Sequence, residues 1–163
     1  MAWLRLVSLV LVALWVGGLA VLGFVAAPAI FAALEAHDPT AGRALAGAVF
    51  GAVLWRFHYW MWALGGGLLV LFLIRRLLGP APRHLSFRMG VVVLMLSFGA
   101  VSAYYISPRI DEIRKETSGA IASLTDGDPR KAEFGRLHGL SSILMLCTLG
   151  AGISLFWAEL NDH

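Results

Sequence analysis

The stretch from about Leu6 to Ala27 reads LVSLVLVALWVGGLAVLGFVAA and contains no charged residue. Crossing a hydrocarbon core about 30 Å thick takes roughly 20 helical residues, and this run is long enough. Arg5 before it and small residues after it also fit a signal peptide. The apolar core of a signal peptide is only about 7–15 residues long, so the run is read as a retained membrane helix. Three more stretches have the same character. They are Phe57 to Ile74 (FHYWMWALGGGLLVLFLI), about Phe87 to Ser107, and about Leu140 to Trp157. In the second, Tyr59, Trp60 and Trp62 mark one end and Arg75-Arg76 the other, as interface anchoring predicts. The 163 residues therefore form one all-α domain, an integral membrane four-helix bundle over residues 1–163, with outer linkers at 28–56 and 108–139.

Composition agrees. Hydrophobic residues make up 59% of the chain and charged residues 14%, with a mean hydropathy of +0.78. Soluble domains are near a quarter charged, so a water-soluble enzyme and a disordered chain are both excluded. The net charge of +3 carries no nucleic-acid signal, because the basic residues lie between apolar runs and follow membrane topology. The single cysteine, Cys147, excludes a disulfide framework and a Cys-rich metal centre.

The first linker is only partly polar. A single helix from Ala41 to Ile74 would be about 51 Å long, so an interfacial or tilted lead-in and then a bend are expected. The second linker mixes signs from Arg109 to Arg136 and reads as an amphipathic helix, a Thr125–Asp128 turn and a second helix entering the membrane. The loop between the second and third spans contains Arg75, Arg76, Arg83 and Arg88 and no acid. By the positive-inside rule this loop and both termini are expected in the cytoplasm of a cell-membrane protein.

Sliding the chain against itself by 80 residues pairs Pro28 with Pro108, Ile30 with Ile110, Arg56 with Arg136, His58 with His138 and Phe24 with Tyr104. Leu, Val and Ala coincide easily in such a chain, but Pro, Arg and His do not. The offset predicts two parallel two-helix repeats related by a pseudo-two-fold axis along the membrane normal. The first and third spans become equivalents, with Pro28 and Pro108 ending or kinking them.

Several of these residues carry a family likeness. Leu14-Trp15-x-Gly17-Gly18, then Phe24 to Phe31 (FVAAPAIF), resembles the opening of the transmembrane protein 205-like family, whose bacterial members are a domain of unknown function. Ala41-Gly42 with Gly47-x-x-Phe50, Pro108-Arg109-Ile110, and Phe134-x-x-Leu137-His138-x-x-Ser141 are similar to its later signatures. The resemblance covers nearly the whole chain and implies four membrane helices, with no settled activity. The run Trp55-Arg56-Phe57-His58-Tyr59-Trp60 is more aromatic and basic than that pattern. A looser fold-level analogy links the Trp-Gly-Gly helix and the membrane-edge histidines to copper-resistance and haem-associated four-helix proteins.

Histidine is the main candidate for chemistry. His37, His84 and His163 fall in linkers or the tail and read as surface residues. His58 and His138 each follow an arginine by two residues at a membrane edge, where an ionisable group needs a partner. Each either bonds a backbone carbonyl or headgroup, or the pair ligates a haem iron; two imidazoles complete haem ligation but leave copper short of donors. Tyr104 is within reach of such a site, while Arg56 and Arg136, about 200° around their helices, are expected at headgroups or anions. Met61, Met89, Met95 and Met145 form no repeated copper motif and read as packing. No acid lies within the four spans, so a Ser-His hydrolase at Ser141-Ser142 lacks its third member. A transporter is disfavoured for the same reason, since no buried carboxylate or charged pair is expected. The expected role is non-enzymatic: an accessory or subunit of a membrane complex, or a homo-oligomer, embedded in the lipid bilayer. Haem or metal binding through His58 and His138 is the alternative, and a small transporter the second.

Overall fold

The computed structural model describes residues 2–39, 41–78, 83–119 and 121–161. These form α1 (Ala2–Val21), a π turn (Leu22–Ala26), α2 (Ala27–His37), α3 (Gly42–Leu78), α4 (Leu85–Val101), a second π turn (Ser102–Ile106), α5 (Ser107–Glu116), a 3-10 turn (Ile121–Ser123) and α6 (Pro129–Leu160). The described residues contain no strand. Through the π turns α1 continues into α2 and α4 into α5, so the chain makes four rods, each long and apolar enough to cross a membrane.

The prolines explain the π turns. Pro28 and Pro108 have no N–H to offer the carbonyls of Phe24 and Tyr104, and their rings crowd the preceding turn. The backbone absorbs this by widening one turn: Ala27 N–H bonds to Leu22 O, and Ser107 N–H to Ser102 O, both i→i−5. The prolines therefore do not end the first and third rods, which continue as α2 and α5. The two π turns fall 80 residues apart, at the offset of the sequence repeat.

α1 packs on α3 and α6, and α4 packs on the same two, leaving α1 diagonal to α4 and α3 diagonal to α6. A two-fold axis down the bundle would produce this ring. The axis is filled at mid-depth by Trp15, Leu68, Phe72, Val92, Met95 and Leu155, all essentially without exposure. Trp15 fits because α3 has a glycine opposite it: a Cβ on Gly65 would lie 2.6 Å from Leu96 Cδ2 and 3.0 Å from the Trp15 ring. In lipid such close packing, rather than apolar transfer from water, holds helices together.

The lead-in to the second span departs from the expectation. The helix is not interrupted before the span, and α3 runs for 37 residues, about 56 Å. It does so because α2 folds back along it. Gly42 permits the tight hairpin, since a Cβ there would sit 2.0 Å from Leu34 O. The first turns of α3 thus pack against α2. Exposed Trp3 and Trp157 ring one end of the apolar zone, and exposed Trp55, Tyr59, Trp60, Tyr104 and Tyr105 ring the other. The helical rise puts these belts roughly 25–30 Å apart, the thickness of a hydrocarbon core.

Candidate functional site

At the end where α1 and α4 begin, three charges are buried. Glu159 of α6 has no exposure, and Arg75 of α3 and Arg88 of α4 are almost as enclosed. Arg75 Nη1 donates to Glu159 Oε2 at 2.7 Å, and Arg88 Nη1 donates to Glu159 Oε1. Arg75 also reaches Ser8 Oγ of α1 at 3.3 Å, while Arg88 Nη2 donates to Ala158 O at 2.9 Å. Arg5 closes the end of α6, donating through Nε to Glu159 O at 2.8 Å and through Nη2 to Leu160 O. A cation there also suits the negative end of the helix dipole. Glu159 and the arginines around it thus tie all four rods together. The expectation that the bundle contains no buried carboxylate or charged pair is wrong, because α6 extends past Trp157 and carries Glu159 into the interior. Two of the four arginines counted toward the loop charge, Arg75 and Arg88, belong to this cluster.

At the opposite belt, His58 of α3 is 6% exposed, and its Nδ1 is buried with no hydrogen-bond partner. Beside it lies a recess of about 40 Å³ lined by Trp55, His58, Tyr59, Trp62, Ala103 and Tyr104. Trp55 meets the imidazole edge-on with centroids 6.4 Å apart, and Trp62 and Tyr104 lie 6.3 Å apart at 36°. The π turn brings Ala103 and Tyr104 onto α3 here. Tyr104 and His58 therefore share a site.

A family model described as a domain of unknown function, DUF4149, matches residues 10–118. The chain belongs to the DUF4149 family. No curated protein and no solved structure matches it. The DUF4149 match takes in both π turns, His58, Arg75 and Arg88, and stops short of Glu159 and His138.

The other residues singled out from the sequence of this DUF4149 chain do not join the recess. His138 is exposed and stacks in parallel on Phe134 of its own helix, with centroids 6.1 Å apart. Bis-imidazole ligation needs both rings turned into one space, and these rings face different surroundings. Arg56 is exposed and bonds Ala52 O of its own helix at 3.4 Å; Arg136 is exposed as well. His37 and His84 are exposed, and His163 lies outside the described residues. Among the described residues no three His, Cys, Asp or Glu side chains are grouped to hold a metal.

Beyond the aromatic belt, α5 is fastened to α6 by Arg109, which bonds both oxygens of Glu133 at 2.6 and 2.9 Å. Asp128 caps α6 by accepting from Arg130 N at 2.9 Å, and the Arg130 guanidinium holds its carboxyl down at about 2. The Asp126 carboxyl is lowered by Lys131, 2.7 Å away. These pairs are half-buried or exposed and structural.

Proposed function

We propose that this protein is a non-enzymatic subunit of a membrane assembly, joined to its neighbours through the outer face of α6. One observation carries this reading. Gly135 and Gly139, spaced as in a GxxxG pair, point outward with open space beyond each Cβ position, and Gly150 does the same further along. Small residues on a lipid-facing surface let another helix approach backbone to backbone, which is how membrane helices associate. The filled axis supports assembly over transport, since Trp15, Phe72 and Met95 occupy the path a solute would need. The bilayer in question is taken to be the cell membrane, with both termini cytoplasmic. Exposed Arg76 and Arg83 between α3 and α4 support that orientation. The resemblance to the transmembrane protein 205-like family fits the same reading.

Native mass measurement of protein extracted from its own membrane tests the assembly. The full chain is expected in a complex heavier than one copy, and Gly139→Leu is expected to release a folded monomer. A wild-type chain that is a stable lone monomer defeats the reading. Orientation is tested separately by labelling Gly79→Cys and Asp126→Cys in a Cys147→Ser background; Gly79 itself lies outside the described residues. Only position 126 should react from outside.

A further inference from the structure

Helix association through the outer face of α6 makes no use of the charged end of the bundle. Beside the Glu159 cluster, between the start of α4 and the end of α6, lies a recess of about 260 Å³. Arg83, His84, Phe87, Arg88, Ala158 and Asn161 line it. A water occupies about 30 Å³ in the liquid, so this space takes a group of several heavy atoms. Arg88 is 3% exposed and forms the inner wall. It bonds Glu159 and Ala158 O, so it acts on an occupant by charge rather than as a donor. Arg83 and His84 are exposed at the mouth, and Phe87, 55% exposed, adds an apolar edge. Trp157 of the aromatic belt directly precedes Ala158, which puts the recess at headgroup depth. Charge here is one-sided. Arg5, Arg75, Arg76, Arg83 and Arg88 gather at this end, and the sequence sets against them only Glu159 and Asp162, the latter outside the described residues. Surplus cationic charge beside hydrocarbon is costly, and an anion held there offsets it.

The internal repeat supplies a control within the same chain. At the offset of 80, Arg83, His84, Phe87 and Arg88 correspond to Trp3, Leu4, Val7 and Ser8, and Ala158 to Leu78. The matching place between α1 and α3 is therefore apolar apart from one hydroxyl. The four-rod framework does not require a basic lining, and one half carries it. The positive-inside rule accounts for arginine in an exposed loop, but not for a guanidinium enclosed in the wall of a recess.

We propose that this recess binds the headgroup of an anionic phospholipid. The phosphate lies against Arg83 and His84, within the field of Arg88, and the acyl chains run past Phe87 into the bilayer. A guanidinium such as that of Arg83 offers paired N–H donors that match two phosphate oxygens. Basic pockets between membrane helices suit acidic headgroups for this reason. A zwitterionic headgroup brings the same phosphate together with a cation, which the surplus of arginine repels. Free phosphate lacks the chains that the apolar edge at Phe87 would hold.

The test uses the purified full chain, delipidated in detergent and titrated with phosphatidylglycerol or phosphatidylcholine while native mass measurement counts the lipids retained. One phosphatidylglycerol per chain is expected, with phosphatidylcholine at least tenfold weaker. Arg83→Gln should weaken retention about fivefold or more. Arg76→Gln removes the same charge from the same end but outside the recess, and should stay within twofold of wild type. If Arg83→Gln does not fold, His84→Ala at the mouth stands in for it and should weaken retention several-fold. Inorganic phosphate at matched concentration should not compete. Failure to retain phosphatidylglycerol, equal retention of the two lipids, equal weakening by Arg76→Gln and the mouth variant, or displacement by inorganic phosphate overturns the proposal. Equal weakening would assign the binding to diffuse surface charge, and displacement would assign the recess to free phosphate. Because Gly139→Leu lies toward the other end of α6, it should leave lipid retention unchanged, so loss of assembly there and loss of lipid binding here are separate results.

Discussion

His58 and His138 occupy matching places in the two halves of the chain, yet one is enclosed by aromatic rings and the other stands exposed between two glycines. Both faces hang on the same framework. Each follows a rod that meets the Glu159 cluster at the far end, about 26 Å away along α3. The difference shows which parts of the repeat are structural. The prolines and their π turns recur in both halves. Arg56 and Arg136 recur beside the histidines, but Trp55, Tyr59 and Trp62 are replaced by Gly135, Gly139 and Ser142, which leaves a walled recess on α3 and a bare glycine surface on α6.

The comparison breaks down most completely if the framework fails. Glu159→Ala leaves two buried guanidinium groups without their carboxylate, which costs about 3–5 kcal/mol. Melting in detergent should drop accordingly, and both faces should be lost together. The triple change of Arg75, Arg88 and Glu159 to methionine should recover most of the loss, because a buried ion cluster is often replaceable by apolar packing. If Glu159→Ala melts like wild type, the four rods are not held by this cluster.

A smaller effect separates the two histidines directly. His58→Leu removes an unpartnered buried nitrogen and should stabilise the fold by about 1–3 kcal/mol. His138→Leu changes an exposed site and should move stability by less than about 0.5 kcal/mol. Equal shifts for the two, read by thermal melting, would mean that the two rings share one environment.

The smallest effect lies outside the membrane, at the start of α6. The carboxyl of Asp128 is depressed to about 2 when folded and has an ordinary value near 3.8 when unfolded. Its contribution is therefore complete above about pH 5, and it is lost as pH falls from there toward 2. The protection of the Arg130 and Lys131 amides, relative to their intrinsic exchange rate at each pH, should fall over that window while the buried turns around His58 stay protected. An unchanged protection factor down to pH 2 would show that the cap does not hold the first turn of α6.

Much of this was legible in the sequence, and what was missed has a physical cause. The four rods follow from apolar runs of membrane length, and the offset of 80 locates both π turns because proline enforces its own backbone geometry. The Glu159 cluster is hidden in the sequence because each of its charged members lies at the edge of an apolar run, where charge reads as loop. Helical spacing nevertheless held the signal. Ser8 leads to Val12 and Trp15, Arg88 to Val91, Val92 and Met95, and Glu159 follows Leu155 by four, so every member continues a core stripe. The different fates of His58 and His138 were less accessible. Both lie on comparable stripes, and only the side chains opposite decide which one is covered.

The central claim is that these two equivalent faces meet different surroundings in the membrane. Tyr59 and Gly139 are partners at the offset of 80 and share a depth, so each can be replaced by cysteine in a Cys147→Ser background and oxidised in native membranes. Gly139→Cys should give a protein–protein cross-link and Tyr59→Cys should not. Cross-linking at both positions alike, or at Tyr59→Cys alone, would contradict the account.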